Sequence, residues 1–121
     1  MPINEYLKQI KKRYNAGIFT EHSYRGDLQV LLTDLVKGTN VTNEPKRQKC
    51  GAPDYILQKK EVPLGYIEAK DIGIDLNKIE KSDQIKRYLP SLDNLILTDY
   101  LEFRFYKYGQ KVKSINIASA I

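Results

Sequence analysis

The hydrophobic period of the chain changes once near its middle, and this limits the folds open to it. Up to Gly38 the apolar residues recur at helical spacing. Ile3, Tyr6, Leu7, Ile10 and Tyr14 form one stripe with Lys8, Lys11, Lys12 and Arg13 off it, and Gly17 follows. Thr20 is placed as the N-cap of a second helix whose stripe is Tyr24, Leu28, Leu31, Leu32 and Leu35, closed by Gly38 as a left-handed C′ residue. From Asp54 onward the segments are short, aromatic and β-branched. Residues 54–58 and 64–70 flank Lys59-Lys60-Glu61 and Val62-Pro63, a pattern that predicts a β-hairpin. A third helix is expected from Ser82 to Tyr88, ended near Pro90, followed by strands at 94–98, 101–106 and 112–117. Helices, strands, a helix and further strands in that order make an α/β or α+β layering of helices on a sheet.

At 121 residues and 14.0 kDa, with no repeat and no Gly/Ser/Pro-rich linker, residues 1–121 read as one domain. A chain that is 41% hydrophobic and 29% charged has the composition of a globular domain, not of a disordered or collagen-like one. Neither a signal-peptide core nor a run of roughly 18–20 apolar residues occurs, so no membrane partner and a cytoplasmic location are expected. The single cysteine, Cys50, cannot form an intramolecular disulfide, which suits a reducing compartment. One His and one Cys cannot make a structural zinc site. The net charge of +5 is compatible with an anionic partner such as nucleic acid.

The residues that can carry chemistry are Pro53-Asp54, Glu68-Ala69-Lys70, and Gln84 with Tyr88. Glu68 and Lys70, two apart on a strand, leave the same face, while Ile67 and Ala69 point to the other. In a hairpin turning near residues 60–63, positions summing to about 122–124 lie opposite one another. An even sum places Asp54 on the face of Glu68 and Lys70; an odd sum places it opposite Ala69, on the wrong face. Two carboxylates supply hard oxygen ligands suited to Mg²⁺ or Mn²⁺, and such an ion beside a lysine is what phosphodiester hydrolysis requires. In this reading Asp54 and Glu68 hold the metal, and Lys70 orients the attacking water and stabilises charge on the phosphate oxygens. Glu21, one turn before Tyr24, is an accessory acid and a candidate further metal ligand. Gln84 and Tyr88 are i, i+4 neighbours at the margin of the third helix's apolar face.

Asp54, Glu68-Ala69-Lys70 and Gln84-Ile85-Lys86-Arg87-Tyr88 resemble, in type and order, the motifs of the PD-(D/E)XK nuclease superfamily. The Gln-x-x-x-Tyr element is similar to that of its RecB-type members. More narrowly, Thr20 to Arg25, Gly51-Ala52-Pro53-Asp54-Tyr55, Gly65 to Asp71 and Asn94 to Tyr100 resemble the amino-terminal nuclease domain of large single-chain restriction–modification enzymes. The resemblance implies a PD-(D/E)XK restriction-endonuclease-like α/β fold, a central mixed β-sheet flanked by α-helices. It implies a Mg²⁺-dependent DNA endonuclease leaving 5′-phosphate and 3′-hydroxyl ends, with Mn²⁺ as a substitute. It assigns Asp54, Glu68, Lys70, Gln84 and Tyr88 to the catalytic site, and Asp54, Glu68 and Glu21 to the metal. It also implies a fragment of a larger protein with translocase, methyltransferase and target-recognition domains, and a second nuclease copy for cutting both strands. The chain has no GxxxxGK[ST] and no Asn-Pro-Pro-Tyr, so any translocase or methyltransferase activity lies outside these residues.

Each residue also has a plainer reading. Glu-x-Lys on a strand is commonly an exposed ion pair, and Asp after Pro a turn residue. Glu21 suits the first turn of any helix, His22 a surface, and Tyr88 a half-buried packing role. Lys46-Arg47-Gln48-Lys49 reads equally as a solvated loop or a phosphate contact, with Glu44 in the same class, and Cys50 reads as a small buried residue. Two rivals remain open: a non-catalytic DNA-binding or interaction module that keeps the fold, and a repair or recombination nuclease. The first is favoured if Asp54 and Glu68 occupy opposite faces or if Lys70 is tied up in a surface pair.

Overall fold

Tyr6 and Ile10, four residues apart on the first stripe, are the side chains that α1 (Pro2–Asn15) buries, while Ile3 near its start is exposed. A computed structural model describes residues 2–17, 21–35, 38–43, 51, 53–60 and 62–117; Thr20, Glu44, the Lys46–Lys49 run and Cys50 lie outside that set. In α2 (Glu21–Leu35) the stripe buries Tyr24, Leu28, Leu31 and Leu32, but Leu35 is exposed, because the helix ends there and its last turn overhangs the core. Gly38 takes the expected left-handed conformation at φ 79°.

Six strands follow: β1 (Asn40–Asn43), β2 (Tyr55–Lys59), β3 (Val62–Ala69), β4 (Asn94–Thr98), β5 (Glu102–Lys107) and β6 (Gln110–Asn116). They form one sheet in sequence order, antiparallel throughout except for β3 and β4, which are parallel. Parallel neighbours need a crossover, and here it carries α3 (Leu76–Glu80) and α4 (Asp83–Ser91). The result is the expected mixed sheet flanked by helices. The details depart from expectation in three places. β1 and α3 were not anticipated, and Val62-Pro63 belong to β3 rather than to the turn.

Alternation along the central strands gives each face its own core. Tyr55, Leu57, Ile67, Ala69 and Phe103 pack with Tyr6, Ile10, Tyr24, Leu28 and Leu31 of α1 and α2. On the other face Leu95, Leu97 and Tyr106 pack with Leu76, Ile85, Tyr88 and Leu92 from the crossover. The β4–β5 turn ties the first layer to the end of the sheet. Asp99 Oδ1 accepts from Leu101 N and Glu102 N, and Thr98 Oγ1 accepts from Tyr100 N. Tyr100, at φ 75°, is thereby tucked beside Tyr24 with ring centroids 5.3 Å apart, and its carbonyl accepts from Tyr6 Oη at 2.5 Å.

Candidate active site at the carboxyl end of β3

The hairpin register decides whether the acids meet. Tyr55 pairs with Ile67, Ile56 with Tyr66 and Leu57 with Gly65, each pair of numbers adding to the even value 122. Nearer the turn the sum falls by one, at an irregularity between Leu57 and Gln58 that the strand pair absorbs as a β-bulge. One further step from Tyr55 and Ile67 sets Asp54 opposite Glu68, on the face of Lys70. Asp54 itself stands just ahead of β2, and its Oδ2 accepts from Ala69 N at 2.8 Å, which clasps the start of β2 to the end of β3.

These residues lie at the carboxyl end of β3, in the parallel pair β3–β4, the end of open α/β sheets at which ligands are commonly placed. Asp54 and Glu68 are buried, at 9% and 4% exposure, and Lys70 is half-buried. Lys70 Nζ stands 3.2 Å from Glu68 Oε2 and donates to Gln84 Oε1 at 2.7 Å. Gln84 Nε2 in turn donates to Tyr88 Oη at 3.4 Å. Burial, and then the charge of Asp54, push the Glu68 carboxyl up to about 7, against the pull of Lys70. No donor among the described residues reaches Glu68 Oε1, a buried oxygen.

Two of the sequence motifs touch directly. A Cβ built on Gly51 would come within 2.9 Å of Tyr88 Cε1, and Gly51 has φ 138°, so this position admits glycine alone. Gly51 can therefore pass the chain closely over the ring on its way to the buried Pro53 and Asp54. Tyr88, at 1% exposure, lies deeper than the helix margin expected for it and is part of the second core. It lies under Gly51, and its hydroxyl accepts from Gln84.

The structure thus brings together Asp54, Glu68, Lys70 and Gln84, with Tyr88 behind them. Glu21 opens α2, but its side chain and those of His22 and Ser23 are outside the described set. The sequence reading missed Arg25. From α2, Arg25 Nη2 donates to Asp54 Oδ1 at 2.5 Å, both partners being nearly enclosed, and Tyr55 Oη donates to the Arg25 carbonyl at 3.0 Å. The available signal was spacing: Arg25 follows Glu21 by four residues and sits between Tyr24 and Leu28 on the buried stripe. Asp54 and Glu68 are two hard oxygen donors, and among the described residues no third acid, His or Cys completes a larger metal-binding group.

No family model matches the chain, and no curated protein matches it by sequence. By fold it is similar to a chain in the cryo-EM structure of a DrdV–DNA complex, with a TM-score of 0.80 and 23% identity over 96% of the present chain. The match spans only 12% of that much longer chain. At this identity the likeness is one of fold.

Proposed function

We propose that this chain is a metal-dependent DNA endonuclease domain of the PD-(D/E)XK type, working in a restriction–modification system as one unit of a larger protein. The observation that carries the reading is the convergence of Asp54, Glu68 and Lys70 on one face at the carboxyl end of β3, with Gln84 on Lys70. The fold likeness to part of a protein in a complex with DNA supports it, as does the net charge of +5.

The donor set fits a small, hard divalent cation. Asp54 and Glu68 would hold Mg²⁺, with Mn²⁺ as a substitute and Glu21 as the further acid proposed from the sequence. Mg²⁺ retains several waters beside one or two carboxylates, so two protein ligands suffice for a site that must also admit a phosphate. The bound ion would supply neutralisation of charge on the phosphate and a more acidic water. Lys70, fixed between Glu68 and Gln84, would orient the attacking water and stabilise charge developing on the phosphate oxygens. Gln84 holds the lysine ammonium, and Tyr88 with Gly51 holds Gln84. The non-catalytic alternative is favoured by Asp54 and Glu68 on opposite faces or by Lys70 in a surface pair. The even register and a Glu68 side chain only 5% exposed favour the catalytic reading.

The test is cleavage of supercoiled plasmid by the purified protein in excess, with Mn²⁺ or Mg²⁺, beside EDTA and Lys70→Ala controls. Nicking or linearisation that disappears in both controls is expected. A Lys70→Ala protein that folds normally and cleaves as well as the parent would overturn the assignment of Lys70. A parent that neither cleaves nor binds Mn²⁺ would point to the interaction module.

A further inference from the structure

Among the described residues both acids of the site already face a cation: Glu68 faces Lys70, and Asp54 faces Arg25. The two pairs differ. The Lys70 side chain is 25% exposed, whereas that of Arg25 is 10% exposed, and Asp54 is held on its other oxygen by the Ala69 amide. A guanidinium pressed at 2.5 Å against Asp54 Oδ1 occupies the side of the carboxylate turned towards α2, and its positive charge opposes the approach of a divalent cation to Asp54.

We infer that Arg25 is the resident counter-ion of Asp54, and that a divalent cation entering the site competes with its guanidinium for that carboxylate. The inference rests on the metal-nuclease reading above and adds to it the residue that sets how tightly the cation is held before substrate arrives. Among the described side chains Asp54 and Glu68 are each matched by a cation, so these two acids alone offer little net attraction to a third cation. A DNA phosphate brings the missing negative charge, so cation and DNA should bind together more tightly than either alone. Arg25, released from Asp54, would remain at the edge of the site as a second donor for that phosphate.

The test is titration of the DNA-free protein with Mn²⁺ by calorimetry, comparing the parent with Arg25→Met, Arg25→Lys and Asp54→Asn, each checked for native circular dichroism. Arg25→Met should bind Mn²⁺ about tenfold more tightly than the parent. Arg25→Lys, which keeps the charge but loses the rigid fork, should fall between them, and Asp54→Asn should bind more weakly than the parent. If Arg25→Met does not fold, the comparison of Arg25→Lys with the parent decides. Parent-like or weaker binding in the folded Arg25 variants, with binding by the parent intact, overturns the inference alone and makes Arg25 a positioning residue for Asp54. Absence of Mn²⁺ binding in every protein, the parent included, overturns the metal reading and the inference with it.

Discussion

Burying Glu68 beside Asp54 makes the folded protein prefer the protonated acid, and the consequence for stability has a definite sign. In the unfolded chain the carboxyl titrates near its ordinary value of 4.5; in the fold it is pushed up to about 7 by burial and the Asp54 charge. Below pH 4.5 both states hold the proton, so ionisation of this group costs the fold nothing. Between 4.5 and 7 the unfolded chain releases its proton first, and above 7 the cost is complete. Replacing Glu68 with Gln keeps the shape and removes the charge. In EDTA at pH 8, Glu68→Gln is expected to be more stable than the parent by on the order of 2 kcal/mol, with the gain gone below about pH 4.5. Urea unfolding at a series of pH values measures this. A difference that stays constant with pH would remove Glu68 from the set of strained acids. The same variant should fail in plasmid cleavage, because the oxygen that destabilises the metal-free fold is a proposed ligand.

Among the elements, those with a long hydrophobic period were legible and the short ones were not. α1, α2 and the pair β2–β3 each carry enough apolar residues to announce a stripe or an alternation, but the hairpin arithmetic left an even and an odd register open, and only the observed pairing of Tyr55 with Ile67 puts Asp54 and Glu68 on one face. β1 is the four residues Asn-Val-Thr-Asn, with Val41 the one buried side chain among those described, and α3 spans little more than one turn around a buried Leu76. Neither is long enough for a period to show; the edge of β2 and the crossover impose them. Arg25 escaped for the converse reason. A charged residue beside an apolar stripe reads as solvent-facing until its partner is known, and Asp54 lies 29 residues away in sequence. The helix that carries Gln84 depends on its own start. Ser82 caps α4 by accepting from Ile85 N at 3.4 Å and donates to Ile79 O at 2.6 Å, joining α3 to α4 one turn from Gln84. Ser82→Ala should lower stability by about 1 kcal/mol, read as a shift of the urea midpoint. Cleavage should fall as well, because Lys70 then loses a fixed partner; unchanged cleavage would show that Gln84 is held by the core through Tyr88 and Ile85 alone.

At the scale of the molecule, the site stands where the two helical layers meet around the end of the sheet. Asp54 takes its arginine from α2 in one layer, and Lys70 takes its glutamine from α4 in the other. The same strand that carries the acids sends Ile67 and Ala69 into the first core and Tyr66 and Glu68 towards the second. A sheet serving as the shared wall of both cores should not survive the loss of either. Leu28 in α2 and Ile85 in α4 are each fully buried, one per layer. Truncation of either to Ala should cost roughly 2–5 kcal/mol, the range for a large core side chain replaced by Ala. The shape of the transition is the sharper test. Tyr24, Tyr55 and Tyr100 report on the first core and Tyr88 and Tyr106 on the second, so tyrosine fluorescence follows both, while far-UV circular dichroism follows the helices. In the parent, in Leu28→Ala and in Ile85→Ala, the two signals should trace one coincident guanidinium transition. Two separated transitions in Leu28→Ala would mean that the sheet and the α3–α4 layer stand without α1 and α2. The Arg25–Asp54 pair would then be a contact between separable parts, open to breakage without unfolding the residues that hold Lys70.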